Sequence, residues 1–324
     1  MVYRTFLMQV SAHIQKSLGE GCRVQLIQVQ KNNGLILDGL CIEGQNTSCS
    51  PTIYLNSYYL EYQKGIPLET ICLFILEAYK SHTVAPAISD IDFSNFLSLK
   101  NQIVYRLINS ASNQALLKEI PHVRFLDLAI VFCIYLSPDS PGKMTALIRN
   151  SHLKTWNISS EDLFSLAMVN TPRLLPPSIR SLTSVMEEIL TGCSDDIPQP
   201  PVSSDSSEES SDREDLYETP LYVLTNQLGI YGASCLLYSR PLKNFADSRK
   251  TDIIILPSSI HEVLLISDRP DIDYEALSQM VMEINLSDVP LEDRLSNQVY
   301  RYSRETGKIA LLSHAPETVE KPNP

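Results

Sequence analysis

A chain of 324 residues with 44% apolar and 20% charged side chains is ordinary globular material, long enough for two domains that each bury a core. Its formal charge of -12 excludes a surface built to neutralise the phosphates of nucleic acid, and the same sign opposes docking on anionic lipid. Seven cysteines, an odd number with no paired spacing and several inside apolar runs, point to free thiols in a reducing, cytoplasmic compartment.

Residues 3–18 place Tyr3, Phe6, Leu7, Val10, Ile14 and Leu18 at helical spacing, and Gly19 and Gly21 stop that helix. Alternation at Val24, Leu26 and Val29, then Asn33-Gly34, then Leu35 and Leu37 predicts a hairpin, because both turn residues tolerate positive φ. A third strand is expected over 52–55, followed by an aromatic-rich helix through Tyr62 that Gly65 stops. A further helix starts near Pro67, where the missing N–H costs nothing. "HVRFLDLAIVFCIYL" (122–136) reads as one buried strand; it is too short to span a bilayer and carries Asp127. No basic stretch followed by an unbroken apolar run marks a secretory signal. Residues 143–156 predict a partner strand and a short helix, 159–171 a helix capped by Ser159 or Ser160, and 176–190 one more helix.

From Cys193 to Pro220 the composition turns to Ser, Asp, Glu and Pro. Nine carboxylates against Arg213 put -8 of the net charge between 194 and 218, which leaves -4 for everything else. Such a segment buries too little apolar surface to offset its ordering entropy, so it is expected to be a disordered acidic linker. The expected organisation is an N-terminal α+β domain (1–192), the linker (193–219), a C-terminal α+β domain (220–313) and a loose tail (314–324). Both bodies mix helices with largely antiparallel sheets, and they move independently unless they pack directly. In the second body two strands are expected over 221–238, a short helix over 240–248, strand–turn–strand over 251–268, a helix over 273–288 and a closing hairpin with its turn at Glu305 to Gly307.

The stretch "TDIIILPSSIHEVLLISD" (251–268) gathers the candidates for chemistry. A zinc protease half-site at His261-Glu262 needs a second His at 265, where Leu265 stands. A serine nucleophile elbow needs small flanks, but Ser258 has Leu256 and Ile260 two residues to either side and no Gly. A turn at Pro257-Ser258-Ser259 between two buried strands accounts for every residue. On an extended return strand His261 and Glu262 then point to opposite faces. Cys235 with His261 as base is the other candidate; a buried Cys in a tight strand, with small neighbours Gly232, Ala233 and Ser234, is the preferred reading. Cys41 and Cys49 are separated by seven residues, and His82, His122 and His152 stand alone, so neither a metal nor another cofactor is expected. A helix-turn-helix over 152–171 would open its recognition helix with Glu161-Asp162, which repels DNA. Gly19-Glu20-Gly21 precedes a strand, so it forms no phosphate cradle.

"NNGLILDGLCI", "SPTIYLNSYYLEYQKG", "IPHVRFLDLAIVF", "LYVLTNQLGIYGASCLLY" and "IIILPSSIHEVLLI", in that order, resemble a family of Firmicute proteins common in gut Clostridia, defined by domain of unknown function 5688. The likeness covers most of the chain outside the linker. It implies a bacterial cytosolic protein and brings no activity, cofactor or catalytic residue to transfer. The expectation is therefore a non-catalytic binding or adaptor protein that recognises another protein or a small ligand. The alternative is a hydrolase or transferase using Cys235 or Ser258/Ser259 with His261 and Glu262.

Overall fold

The structure is a computed structural model that describes residues 1–44, 52–82, 92–136, 145–191 and 220–312. Helix α1 (Tyr3–Leu18) buries Phe6, Val10 and Ile14, spaced so that one stripe faces inward. That stripe meets an antiparallel sheet of β1 (Cys22–Gln30), β2 (Ile36–Gly44) and β3 (Thr52–Tyr54). Helices α2 (Asn56–Gln63) and α3 (Leu68–His82) close a core around Leu40, Ile42, Leu55, Ile71 and Ile75. As expected for the hairpin turn, Asn33 and Gly34 both have positive φ, 57° and 72°.

The chain continues through α4 (Phe96–Leu99), β4 (Ile103–Asn109), α5 (Gln114–Leu117), β5 (His122–Phe125), β6 (Leu128–Tyr135) and β7 (Thr145–Leu147). Strand β6 pairs with β4 along one side and with β5 and then β7 along the other. The stretch expected to be one strand is therefore two. Leu126 turns the chain at φ 54°, and Asp127 beside it accepts hydrogen bonds from Ser296 Oγ (2.6 Å) and Tyr300 OH (2.8 Å), far away in sequence.

Next come α6 (Asn150–Trp156), α7 (Ser160–Leu174), β8 (Pro177–Ser181), α8 (Leu182–Thr191), β9 (Tyr222–Asn226), α9 (Pro241–Arg249), β10 (Ile253–Leu256), β11 (Val263–Ser267), α10 (Tyr274–Ser287), β12 (Tyr300–Tyr302) and β13 (Ile309–Leu311). Two expectations are corrected here. Residues 177–181 are an edge strand before α8, drawn out of the expected helix by pairing with β9. Residues 221–238 hold one strand, not two. The Asn226 side chain folds the chain back by bonding the amide of Leu228 and the carbonyl of Ile230, and a 3-10 turn over Gly232–Leu237 follows.

The resulting six-stranded sheet runs β13-β12-β10-β11-β9-β8. Every strand pair among the described residues is antiparallel, and the fold is α+β. One face of this sheet and one face of the β4–β7 sheet share a core with α7 that includes Tyr105, Phe132, Leu163, Leu224, Ile255 and Tyr300. Helix α10 covers the opposite face through Val281 on Ile254, Leu256 and Ile266. The core and the β8–β9 pairing join residues on either side of 193–219, so the packing crosses the boundary expected there. The acidic segment itself and the tail at 314–324 lie outside the described residues.

Candidate functional site

Strands β10 and β11 are paired from Ile253↔Ser267 to Leu256↔Leu264, which leaves Pro257 to Glu262 as a six-residue connection. Pro257 has no N–H to extend the ladder. The Ser259 hydroxyl then organises the loop: it donates to Glu262 Oε1 (2.9 Å) and accepts from the amides of His261 (2.9 Å) and Glu262 (3.3 Å). Ile260 is driven into the core, its amide bonded to the Asp293 carbonyl at 2.8 Å. The return strand starts only at Val263. His261 and Glu262 are therefore not alternating strand residues, and the expectation that they diverge is corrected: both line the same depression.

That depression is an open hollow of about 420 Å³, and its walls include Ser258, Ser259, His261, Glu262, Asp288 and Asp293. Asp288 closes the C-terminal end of α10, and Asp293 sits in the loop after it. Arg294 steadies this loop by donating to the carbonyls of Val289 and Leu286. The hollow is thus acidic: Glu262, Asp288 and Asp293 line it with one imidazole, of which Asp293 is the carboxylate in contact with the ring.

The state of that imidazole follows from its partners. His261 Nδ1 lies 3.3 Å from the backbone N of Tyr231, and Nε2 lies 3.3 Å from Asp293 Oδ1. A backbone N–H can only donate, so Nδ1 accepts and the proton resides on Nε2, facing Asp293. The ring's one lone pair is therefore engaged, and Ser259 turns its hydroxyl proton to Glu262 instead. No Ser–His dyad forms in this arrangement. The Tyr231 ring stacks beside His261 (centroids 5.8 Å apart, planes 15° apart), and the Arg106 guanidinium lies 4.8 Å from the same tyrosine ring.

Cys235 sits elsewhere, fully buried on the 3-10 turn instead of in the expected strand, with its sulfur 3.3 Å from the Thr225 carbonyl. Burial pushes its thiol up to about 12, against a smaller downward pull from the Tyr238 hydroxyl. It does not reach His261's ring, and it is not brought together with Ser258 or Ser259 at the hollow.

The remaining sequence candidates fall into structural places. His152 caps α6, accepting from the Arg149 amide. His122 is exposed on β5 and Cys41 half-buried on β2; Cys49, Cys193 and the His82 side chain lie outside the described residues. No group of three metal-ligating side chains converges among the described residues. Ser159 and Asp162 form a reciprocal cap on α7, and Gly19–Gly21 is a 3-10 turn leading into β1. The hollow's two charged residues that sequence reasoning missed are Asp288 and Asp293. Their only signal was the acidic, Pro-bearing stretch "SDVPLED", which reads as an ordinary loop.

These features define an antiparallel α+β protein with an open acidic hollow at the β10–β11 connection. A model described as a family of unknown function (DUF5688) matches residues 3–304, and the chain belongs to that family. No match to the chain is found among curated proteins or among solved structures. No described helix is long and apolar enough to cross a membrane.

Proposed function

We propose that this is a non-catalytic binding protein whose acidic hollow recognises a positively charged group on a small molecule or on another protein. One observation carries the reading: three acidic residues line an open hollow in which the imidazole has no lone pair left to activate a nucleophile. The buried, high-pKa thiol of Cys235 removes the main support for the hydrolase or transferase alternative. The lack of any disulfide among the described cysteines supports placing the protein in a reducing bacterial cytosol, and the resemblance of the quoted stretches supports the Firmicute origin we assign it.

The test is a thermal-shift titration of the full chain with arginine, lysine and spermidine at constant ionic strength. At least one of them stabilises the wild type saturably, and the Glu262→Gln/Asp288→Asn variant loses that response while remaining folded. Equal responses of the two proteins, or none in either, refute the cationic ligand. Labelling of Ser258 or Ser259 by a fluorophosphonate probe would restore the enzyme reading.

A further inference from the structure

Among the described residues, Arg106 carries a buried guanidinium nitrogen and takes part in no ion pair. It projects from β4 on the face opposite Tyr105 and Leu107, in register with Val131 of β6. Its neighbours on that face are Val104 and Cys133, members of an apolar cluster packed by Leu174, Leu228 and Ile230. Nε of Arg106 is buried and has no hydrogen-bond partner, and no carboxylate among the described residues pairs with the guanidinium. The residue as a whole stays half-buried, so its outer nitrogens reach solvent while Nε does not.

A guanidinium keeps its charge in any protein environment, and an unpaired one in apolar surroundings is expensive. The Tyr231 ring 4.8 Å away offers a cation–π contact, which attracts the charge but accepts no N–H in the guanidinium plane. The Tyr231 hydroxyl hydrogen-bonds the Arg106 side chain, and Thr145 Oγ1 lies 3.4 Å from that phenol oxygen. Of this hydroxyl pair one proton is used between the two oxygens and the other is left to donate, and a planar fork of donors with a hydroxyl donor at its rim is an arrangement that matches an oxyanion.

We propose that Arg106, Tyr231 and Thr145 form a binding site for a carboxylate or phosphate group. The site is independent of the acidic hollow, to which it is connected through the Tyr231 ring stacked beside His261, and it takes the opposite sign of ligand. It does not rest on the function proposed above.

The test follows the side-chain Nε–H signals of the full chain labelled with [15N]arginine, titrated separately with inorganic phosphate and with acetate, chloride holding ionic strength constant. Arg106 is identified as the signal missing from Arg106→Lys. Saturable movement of that signal with phosphate, acetate or both supports the site, and the difference between the two anions says which source it prefers. Arg106→Lys keeps the charge but loses the fork, so in a thermal-shift titration run alike on both proteins the same anion binds it about tenfold or more weakly. Should that variant fail to fold, Tyr231→Phe keeps the ring and removes one donor, and weaker anion binding there is the expected result. An Arg106 signal that moves no further with either anion than with chloride overturns the proposal. So does undiminished affinity in the folded variant used.

Discussion

His152 lies where its charged form is opposed from two sides. Its ring stacks on Trp156 (centroids 5.3 Å apart, planes 20° apart), and Nδ1 accepts the Arg149 amide at 3.1 Å. Burial, and then the positive charge of Arg149, hold its pKa below the usual imidazole value near 6.5. Between the lowered folded value and about 6.5 the unfolded chain binds more protons than the folded one. This contribution to stability is therefore complete above about pH 6.5 and falls as pH drops through that window. Urea midpoints from pH 7.5 to 5.5, followed by the fluorescence of Trp156, the chain's single tryptophan, should decline more steeply in the wild type than in His152→Gln. Equal slopes would show that another group is titrating. Asp162, held below its usual value chiefly by the Ser159 hydroxyl, acts in the more acidic carboxylate range and does not overlap this window. Thiol chemistry supplies a second measurement at the same scale. With iodoacetamide at pH 7.5 the native chain should be alkylated at half-buried Cys22 and Cys41 and spared at Cys235, read by peptide mass spectrometry. Rapid alkylation of Cys235 would contradict its buried, protonated state.

The 3-10 turn over Gly232–Leu237 is pressed against β9 and the β10–β11 connection at Gly232. A Cβ there would stand 2.1 Å from Thr225 Oγ1 and 2.3 Å from the His261 carbonyl oxygen. The carbonyl belongs to the loop that Ser259 organises and cannot swing aside, so Gly232→Ala should cost about 1–3 kcal/mol in chemical denaturation. Gly39→Ala is the control: its nearest obstacle is the Thr52 Cγ2 methyl at 2.4 Å, a side chain on a half-exposed sheet face, and the loss should be smaller. A loss at Gly232 no greater than at Gly39 would mean the turn is free to shift. Elements of this kind mark the limit of what the sequence discloses. Helix α1, the Asn33-Gly34 hairpin, α10 and the closing hairpin are legible because each carries its own period and its own stop. The break between β5 and β6 is not, because the residues that stabilise it, Ser296 and Tyr300, lie far away in sequence, in β12 and the loop before it. At the hollow, Ser258 to Glu262 were found as a polar interruption between apolar runs. The placement of His261 and Glu262 on one depression is not legible, because strand alternation does not hold for the two residues before the strand begins at Val263. Asp288 and Asp293 were missed because tertiary packing alone brings them there.

Over the whole molecule, two connections set how its parts act together. The core shared across 193–219 and the β8–β9 pairing predict that a protease site introduced near position 205 can be cut without separating the fragments. Co-elution after cleavage is the expected result, and separation would favour independently moving bodies. The second connection runs from the tip of the first hairpin to the hollow. Asn33 Nδ2 donates to the carbonyls of Leu291 (2.8 Å) and Arg294 (2.7 Å), and Asn32 Nδ2 donates to that of Glu292 (2.7 Å). Asn113, almost fully buried, holds Asn33 through both its backbone amide and its side chain. These bonds span the segment that carries Asp293, whose carbonyl receives the Ile260 amide and whose carboxylate faces His261. A turn that reads locally as a plain hairpin thus fixes one wall of the hollow. Asn33→Gly separates the two roles, since glycine accepts the left-handed φ of 57° but lacks the amide. Three side-chain hydrogen bonds at about 0.5–1.5 kcal/mol each set the scale of the loss, part of which water recovers at the exposed end. Hydrogen exchange should accelerate at 291–294 and at the Ile260 amide, while β1 and β2 keep their protection. Unchanged exchange in 291–294 would show that the loop holds its shape without the hairpin. Acceleration confined to β1 and β2 would show that Asn33 serves its own turn alone.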